Sequence, residues 1–78
     1  MRLEIRLYAT LRQAVPASPD GVVPLDIPDG ATVAQVLGLI KIDPADVRMI
    51  MVNGVAAELG QTLRDGDRLG LFPPLGGG

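Results

Sequence analysis

The chain has 78 residues, of which 47% are hydrophobic and 21% charged, and its net charge is −2 at pH 7. This composition fits one small domain with a single core, and the slight negative charge argues against nucleic acid as the main partner. Because the sequence has no cysteine and no histidine, disulfides, thiolate chemistry, a metal site and autonomous catalysis are not expected. No apolar run approaches the length of a membrane span, and the residues after Met1 open a strand rather than a signal peptide, so we expect a cytoplasmic protein with no membrane partner.

The first predicted element is a half-buried strand. Residues Arg2–Tyr8 alternate between polar and apolar side chains, with Tyr8 on the polar side. Ala9–Val15 then has apolar residues at helical spacing and predicts one or two helical turns, which Pro16 ends. Residues 16–21 are rich in proline, serine and glycine, so they predict a loop.

The second strand and the main helix follow this loop. Val22–Ile27 predicts a strand, and Pro24 favours an edge position or an irregular start because it cannot donate a backbone hydrogen bond. Thr32 and Gln35 have the spacing of a capping box. The apolar residues after Thr32 recur at intervals of three and four, so they predict one amphipathic helix that ends near Lys41.

A short turn and a hairpin are predicted next. Asp43-Pro44 resembles a helix cap followed by proline at the first helical position, with a single turn over Ala45–Val47. Met49–Val52 is a continuous apolar run that predicts a third strand. Asn53-Gly54 is a strong hairpin signal because both residues tolerate a positive φ, and the return strand is predicted over Val55–Leu59.

The last strand of the domain is predicted over Arg68–Phe72. Gly60–Leu63 precedes it as a connector with room for one helical turn, and Asp65-Gly66-Asp67 predicts a tight turn. Two carboxylates without further ligands make a poor metal site, so this turn is interpreted as structural.

The segment after Phe72 is too rich in proline and glycine to fold. Pro73 and Pro74 favour an extended path, and consecutive glycines lose the most backbone freedom on ordering. We therefore predict a domain over residues 1–72 and a flexible tail over residues 73–78. Two interpretations of the tail are open from its composition: an ordinary frayed terminus, or a bare terminal carboxylate that reacts.

Short segments in five places carry a resemblance to a known family: Tyr8-Ala9-Thr10-Leu11-Arg12, Val52-Asn53-Gly54, Leu63-Arg64-Asp65-Gly66-Asp67, Phe72-Pro73-Pro74 and Gly77-Gly78. Over its whole length the chain resembles the MoaD/ThiS family of ubiquitin-like sulfur carriers. The order of Asp-Gly-Asp turn, strand, Phe-Pro-Pro and terminal Gly-Gly favours the MoaD type, which is the small subunit of molybdopterin synthase. The spacer Leu75-Gly76 adds a third glycine and departs from the pattern without moving the terminal pair.

The resemblance implies an α+β fold of the ubiquitin-like β-grasp type. In this fold a mixed sheet of four to five strands carries one main helix on one face, and the first and last strands lie parallel at its centre. Strand parity then places Tyr8 and Phe72 together on the face away from the helix. By analogy with the apolar patch of ubiquitin-like proteins, Met49 and Met51 are also predicted to face outward. The residues predicted to face the helix are Leu3, Ile5, Leu7, Leu69, Leu71, Ile50 and Val52.

An exposed cluster of tyrosine, phenylalanine and methionine is typical of a protein interface. Two alternatives remain open: Phe72 caps one end of the core, or Met49 and Met51 belong to the core.

The resemblance also implies a function for the tail. In the family an ATP-using enzyme of the ubiquitin-activating type adenylates the terminal glycine, here Gly78, and sulfur then displaces AMP to leave a thiocarboxylate. The chain is thus expected to be a carrier and not an enzyme, to bind no cofactor itself, and to donate sulfur in molybdopterin (molybdenum or tungsten cofactor) biosynthesis. The alternatives are a sulfur carrier for thiamine or another pathway, a ubiquitin-like modifier conjugated through Gly78, and a non-reactive subunit that only binds a partner.

The site residues expected from this resemblance form two groups. Gly78 and Gly77 form the reactive end, where a bulky side chain would block activation. The partners are the activating enzyme and the large subunit of molybdopterin synthase or an equivalent sulfur acceptor. The residues expected to contact these partners are Tyr8, Met51, Ala56, Phe72, Pro73, Pro74, Leu75 and Gly76.

Overall fold

The computed structural model of the chain describes residues 1–14 and 20–74. These residues form five strands, one α-helix and two short 3₁₀ helices. The strands are β1 (Arg2–Leu7), β2 (Val22–Asp26), β3 (Met49–Val52), β4 (Val55–Ala57) and β5 (Arg68–Phe72). The helix α1 spans Val33–Leu39, and the 3₁₀ helices span Ala9–Ala14 and Pro44–Asp46. The predicted end of the first helical segment at Val15 and Pro16 lies outside the described residues.

The five strands form one mixed sheet in the order β2-β1-β5-β3-β4. β1 and β5 pair in parallel at its centre, and the other neighbours are antiparallel. Pro24 lies in β2 at one edge, where its missing N–H costs no ladder bond. The predicted α+β architecture, with a parallel central pair and one main helix on one face, is confirmed.

The core lies between the sheet and α1. The alternating apolar residues of β1 and β5 are buried together with one stripe of the helix, as strand parity predicted. The most deeply buried side chains are Leu3, Ile5, Leu7, Leu37, Leu63, Leu69, Leu71, Val33 and Val36.

The start of α1 is held by its own cap and by the chain before β5. In the predicted capping box, the Gln35 N–H donates to Thr32 Oγ1 at 3.3 Å and the Thr32 N–H donates to Gln35 Oε1 at 2.8 Å. The first two helical N–H groups, of Val33 and Ala34, donate to the carbonyl oxygens of Gln61 and Leu59. All three N–H groups of the first turn are therefore satisfied.

This use of the connector explains two wrong predictions. β4 ends at Ala57 and does not reach Leu59, and residues 60–63 form a bridge from Thr62 to Thr32 instead of a helical turn. The carbonyl groups of Leu59 and Gln61 point at the N-terminus of α1, and the Gln61 N–H closes a tight turn with the Glu58 carbonyl at 3.1 Å. That demand comes from a distant helix, so the local sequence does not reveal it.

The end of α1 is a Schellman motif with a lysine in the position that glycine usually takes. The Ile42 N–H donates to the Leu37 carbonyl at 3.0 Å, and the Lys41 N–H donates to the Gly38 carbonyl at 3.3 Å. Lys41 has a φ of 60°, in the left-handed region that costs a residue with a Cβ about 1–2 kcal/mol. The buried Ile42 side chain holds the chain in this conformation.

Replacing Lys41 with glycine should therefore stabilise the domain. Glycine removes the conformational penalty but loses more entropy on folding, so we expect a net gain of about 0.5–1 kcal/mol in the free energy of unfolding. Urea denaturation measures this change. Lys41→Ala is the matched control, because it removes the charge and keeps the Cβ; an equal gain in both variants would contradict the explanation.

Candidate docking surface

Tyr8 and Phe72 stack on the face of the sheet that points away from α1. Their ring centroids are 4.3 Å apart and their planes differ by 3°. They meet because Leu7 pairs with Leu71 in the parallel register, so the residues that follow Leu7 and Leu71 project to the outer face side by side. The predicted outward placement of both rings is confirmed, and the alternative in which Phe72 caps the core is wrong.

Gly70 provides the floor under these rings. A Cβ at this position would lie 3.5 Å from Tyr8 Cε2 and 3.6 Å from Phe72 Cε1. Both rings therefore lean over the glycine backbone, and a side chain longer than alanine would push them apart. Gly70 was not among the predicted site residues; a glycine between apolar residues of a central strand is the signal that marks such a close approach.

The methionines of β3 extend the aromatic pair. Met51 pairs with Gly70 and Met49 pairs with Phe72, so both lie on the outer face, and Met49 is 50% exposed. The residues that alternate with them pack against the core. The predicted outward orientation of the methionines is confirmed. Ala56 pairs with Met51 on the edge strand β4 and is exposed.

A shallow concavity of about 240 Å³ lies at the centre of this face. We call it the outer concavity. It is lined by Arg6, Tyr8, Met51, Asn53, Gly54, Arg68, Gly70 and Phe72. An apolar floor with a few polar groups at its rim is the composition of a site that binds a protein partner.

Asn53 and Asp67 fix one rim of the outer concavity. Asn53 Nδ2 donates to Asp67 Oδ1 at 2.9 Å, and the Arg68 N–H donates to Asn53 Oδ1 at 3.0 Å. The second carboxylate oxygen of Asp67 accepts the Arg64 N–H at 2.8 Å. The β3–β4 hairpin is thus tied to the turn before β5. Both turns agree with the predictions from sequence, and Asn53 has the expected positive φ of 53°. The hydrogen bond between the Asn53 and Asp67 side chains was not predicted.

The carboxylates of Asp65 and Asp67 accept hydrogen bonds from backbone N–H groups. Asp65 Oδ1 accepts the Arg2 N–H at 2.6 Å, just as Asp67 accepts that of Arg64. Across residues 1–14 and 20–74, no group of three or more metal-ligating side chains is found.

The two arginines of the outer concavity, Arg6 and Arg68, differ in their contacts with carboxylates. The Arg6 Nε donates to Glu4 Oε2 at 2.6 Å, and this hydrogen bond, followed by the charge of the carboxylate, raises the pKa of Arg6 above its usual value. Glu4 also pairs with Arg68 in the sheet register, but its carboxylate turns to Arg6. In the part of the chain that the structure describes, no carboxylate forms an ion pair with Arg68.

The chain leaves the sheet beside the aromatic pair. The Phe72 carbonyl accepts the Arg48 N–H at 2.7 Å. Pro73 and Pro74 follow, and because neither has an N–H, pairing cannot continue past Phe72. Pro73 is half-buried and Pro74 is exposed. The predictions for Leu75, Gly76, Gly77 and Gly78 lie outside the described residues, and the boundary between residues 72 and 73 stays a prediction.

A five-stranded mixed sheet with a parallel central pair and one helix across it defines a small ubiquitin-like protein of the β-grasp class. The chain belongs to the ThiS family, whose model matches residues 5–78. Proteins of this kind are small non-catalytic carriers, so the chain is a carrier and not an enzyme. Comparison with curated protein sequences gives no match. Among the described residues, no helix is both long and apolar enough to cross a bilayer.

Three solved structures show what the fold is similar to. The small archaeal modifier protein 1 of Haloferax volcanii has a TM-score of 0.77 and 27% identity, over 95% of this chain and 98% of its own. A putative molybdopterin converting factor subunit 1 from Pyrococcus furiosus has a TM-score of 0.75 and 27% identity, over 96% and 99%. A complex of subunits 1 and 2 of the molybdopterin-converting factor from Helicobacter pylori has a TM-score of 0.66 at 19% identity, over 100% of both chains, which supports the fold alone.

Proposed function

We propose that this chain carries sulfur as a thiocarboxylate on Gly78 and donates it in the synthesis of a molybdopterin-type cofactor. The terminal carboxylate attacks the α-phosphate of ATP on an activating enzyme, and pyrophosphate leaves. A sulfur nucleophile then attacks the acyl carbon, and AMP leaves. The chain binds no cofactor itself, because its partner uses the ATP. A glycine terminus suits this chemistry, since no side chain obstructs the incoming sulfur.

The observation that carries this proposal is the position of Phe72. It belongs to the stacked pair on the outer face, and it is also the last residue that pairs in the sheet. A partner that binds the outer concavity therefore holds the start of the C-terminal segment. Six residues, 73–78, span at most about 20 Å when extended, so the reacting centre of the partner lies within about that distance of Phe72.

One similarity favours the molybdopterin pathway, and one complex with the same fold illustrates a partner. The Pyrococcus furiosus protein, described as a putative molybdopterin converting factor subunit 1, matches nearly the whole chain. The Helicobacter pylori structure is a complex of subunits 1 and 2 of the molybdopterin-converting factor. By analogy, we propose a large subunit as the sulfur acceptor and an adenylating enzyme of the ubiquitin-activating type as the second partner of this chain.

Intact mass spectrometry tests the reactive end. The wild-type chain, incubated with the activating enzyme, ATP and a sulfide source, should gain the mass expected when one oxygen is replaced by sulfur. A chain that lacks Gly77 and Gly78 should show no change in mass. Its terminal carboxylate belongs to Gly76 and ends two residues short of the reacting position in the partner. Gly38→Ala, a substitution on the exposed side of α1, should react like wild type. A failure of the wild-type chain to exchange oxygen for sulfur would reject the proposal.

A second candidate function is conjugation to other proteins. It is favoured by the similarity to the small archaeal modifier protein 1 at 27% identity. In this case a lysine amine would displace AMP and form an isopeptide bond with Gly78. Trypsin cleaves after Arg68, the last basic residue, so a conjugated lysine would carry the remnant Leu69–Gly78. Detection of this remnant on host proteins supports the modifier, and its absence in cells where the thiocarboxylate forms supports the carrier alone.

A further inference from the structure

The outer concavity is lined by one arginine that forms no ion pair among the described residues. Arg6 and Arg68 both line it. Arg6 is neutralised by Glu4 at 2.6 Å, whereas no carboxylate of the described residues pairs with Arg68. The nearest acidic side chains are already engaged, since Glu4 binds Arg6 and both oxygens of Asp67 accept hydrogen bonds. Arg68 is therefore the arginine of the outer concavity that has no ion-pair partner among the described residues.

The surroundings of Arg68 make this charge important for docking. Tyr8, Phe72 and Met51 form an apolar surface beside it. A partner that covers these side chains removes water from the guanidinium as well. A buried charge without a counter-ion is strongly unfavourable, and a guanidinium forms its best pairs with planar carboxylates through two parallel hydrogen bonds.

We infer that the protein partner places an aspartate or glutamate carboxylate against Arg68, and that this pair selects the partner. The inference rests on the proposed docking function and names the chemistry of the docked surface. In the structure the Glu4 carboxylate pairs with Arg6 and forms no ion pair with Arg68. Residues 1–14 and 20–74 thus supply no ion-pair partner for Arg68, and the inference assigns that partner to the docked protein.

The test measures the affinity of the purified activating enzyme and of the purified large subunit for five chains: wild type, Phe72→Ala and three arginine variants. Arg68→Met keeps the length and removes the charge, and it should weaken the cognate complex by roughly 10-fold or more because the carboxylate of the partner loses its counter-ion. Arg68→Glu should weaken it by roughly 100-fold or more, since two carboxylates then face each other. Arg64→Glu is the matched control: it makes the same change in net charge at an exposed position outside the concavity and should stay within about 3-fold of wild type.

The outcomes separate this inference from the docking proposal. If Arg68→Met binds as tightly as wild type, or more tightly, the partner supplies no carboxylate and the inference is overturned, even where Arg68→Glu is weakened by repulsion. If Phe72→Ala loses binding while both Arg68 variants bind normally, the partner docks on this surface but places no carboxylate against Arg68. If Phe72→Ala also binds normally, the docking proposal itself fails. A thermal unfolding curve must show that each variant is folded at the temperature of the binding measurement before affinities are compared.

Discussion

Replacing Phe72 with alanine should weaken the complex with the activating enzyme or the large subunit by about 100-fold, which corresponds to about 2.7 kcal/mol. Phe72 is half-buried in the free domain, stacks on Tyr8 at 4.3 Å, and lines the outer concavity. Large aromatic residues in such positions carry most of the binding energy of an interface. Truncation removes the anchor and leaves the Tyr8 ring without its neighbour.

The same substitution should cost the isolated domain less than it costs the complex. Because Phe72 is not part of the buried core, we expect a loss of about 1–2 kcal/mol in the free energy of unfolding, so the variant stays folded. Calorimetric titration and a thermal unfolding curve on the same sample separate the two effects.

Leu39→Ala is the matched control for this prediction. Leu39 is a large apolar residue that is 57% exposed, but it lies on α1, on the opposite side of the sheet. Its replacement should leave binding unchanged. Equal losses for Leu39→Ala and Phe72→Ala would show that the two faces do not differ and would contradict the assignment of the docking surface. A double variant with Tyr8→Ala should lose less than the sum of the single losses, since the two rings act together.

Replacing Gly21 with alanine should destabilise the domain by about 3 kcal/mol or more. Gly21 is buried and has a φ of 79°, and a Cβ there would lie 2.4 Å from the Leu7 carbonyl oxygen. That oxygen is a backbone atom at the end of β1, so it cannot move away without disturbing the strand. The Leu7 N–H also donates to the Gly21 carbonyl at 2.7 Å. Alanine therefore brings a conformational penalty, a steric clash and a strained hydrogen bond together.

Gly30→Ala separates these contributions. Gly30 has nearly the same φ, 83°, but no atom lies within 4 Å of the Cβ that alanine would add. We expect it to cost about 1 kcal/mol, the conformational penalty alone. Urea denaturation of both variants gives the difference, which measures the clash with Leu7. Similar losses at the two positions would contradict the explanation, because backbone conformation would then account for the whole effect.

The parts of the fold that sequence analysis predicted correctly are those with a strong local or periodic signal. The alternation in β1 fixed its inward and outward residues, and parity carried the same assignment to β5. Thr32 and Gln35 identified the start of α1 because the capping box is a contact within one turn. Asn53-Gly54 identified the hairpin because few other pairs tolerate its backbone conformation.

The features that sequence analysis missed depend on contacts between distant segments. Leu59 does not belong to β4, and Gln61 does not form a helical turn. Their carbonyl groups accept the N–H groups in the first turn of α1 instead. The role of Gly70 follows from two rings, one of which comes from the other end of the chain. Arg68 has no ion-pair partner among the described residues, because the Glu4 carboxylate pairs with Arg6. The spacing of residues in the sequence does not predict these contacts, because each one forms only when distant segments come together in the folded chain.

The parallel pairing of β1 with β5 joins the start of the domain to its end, with Glu4 opposite Arg68 and Leu7 opposite Leu71. Contacts of such sequence separation form late, since the whole intervening chain must be ordered to bring them together. Tyr8 therefore has no stacking partner until β5 is in place, and a chain still under synthesis has no complete docking surface. A partner that requires both rings would ignore nascent, truncated or misfolded chains. The surface would thus act as a check on the completeness of its own domain, and adenylation would be reserved for finished molecules.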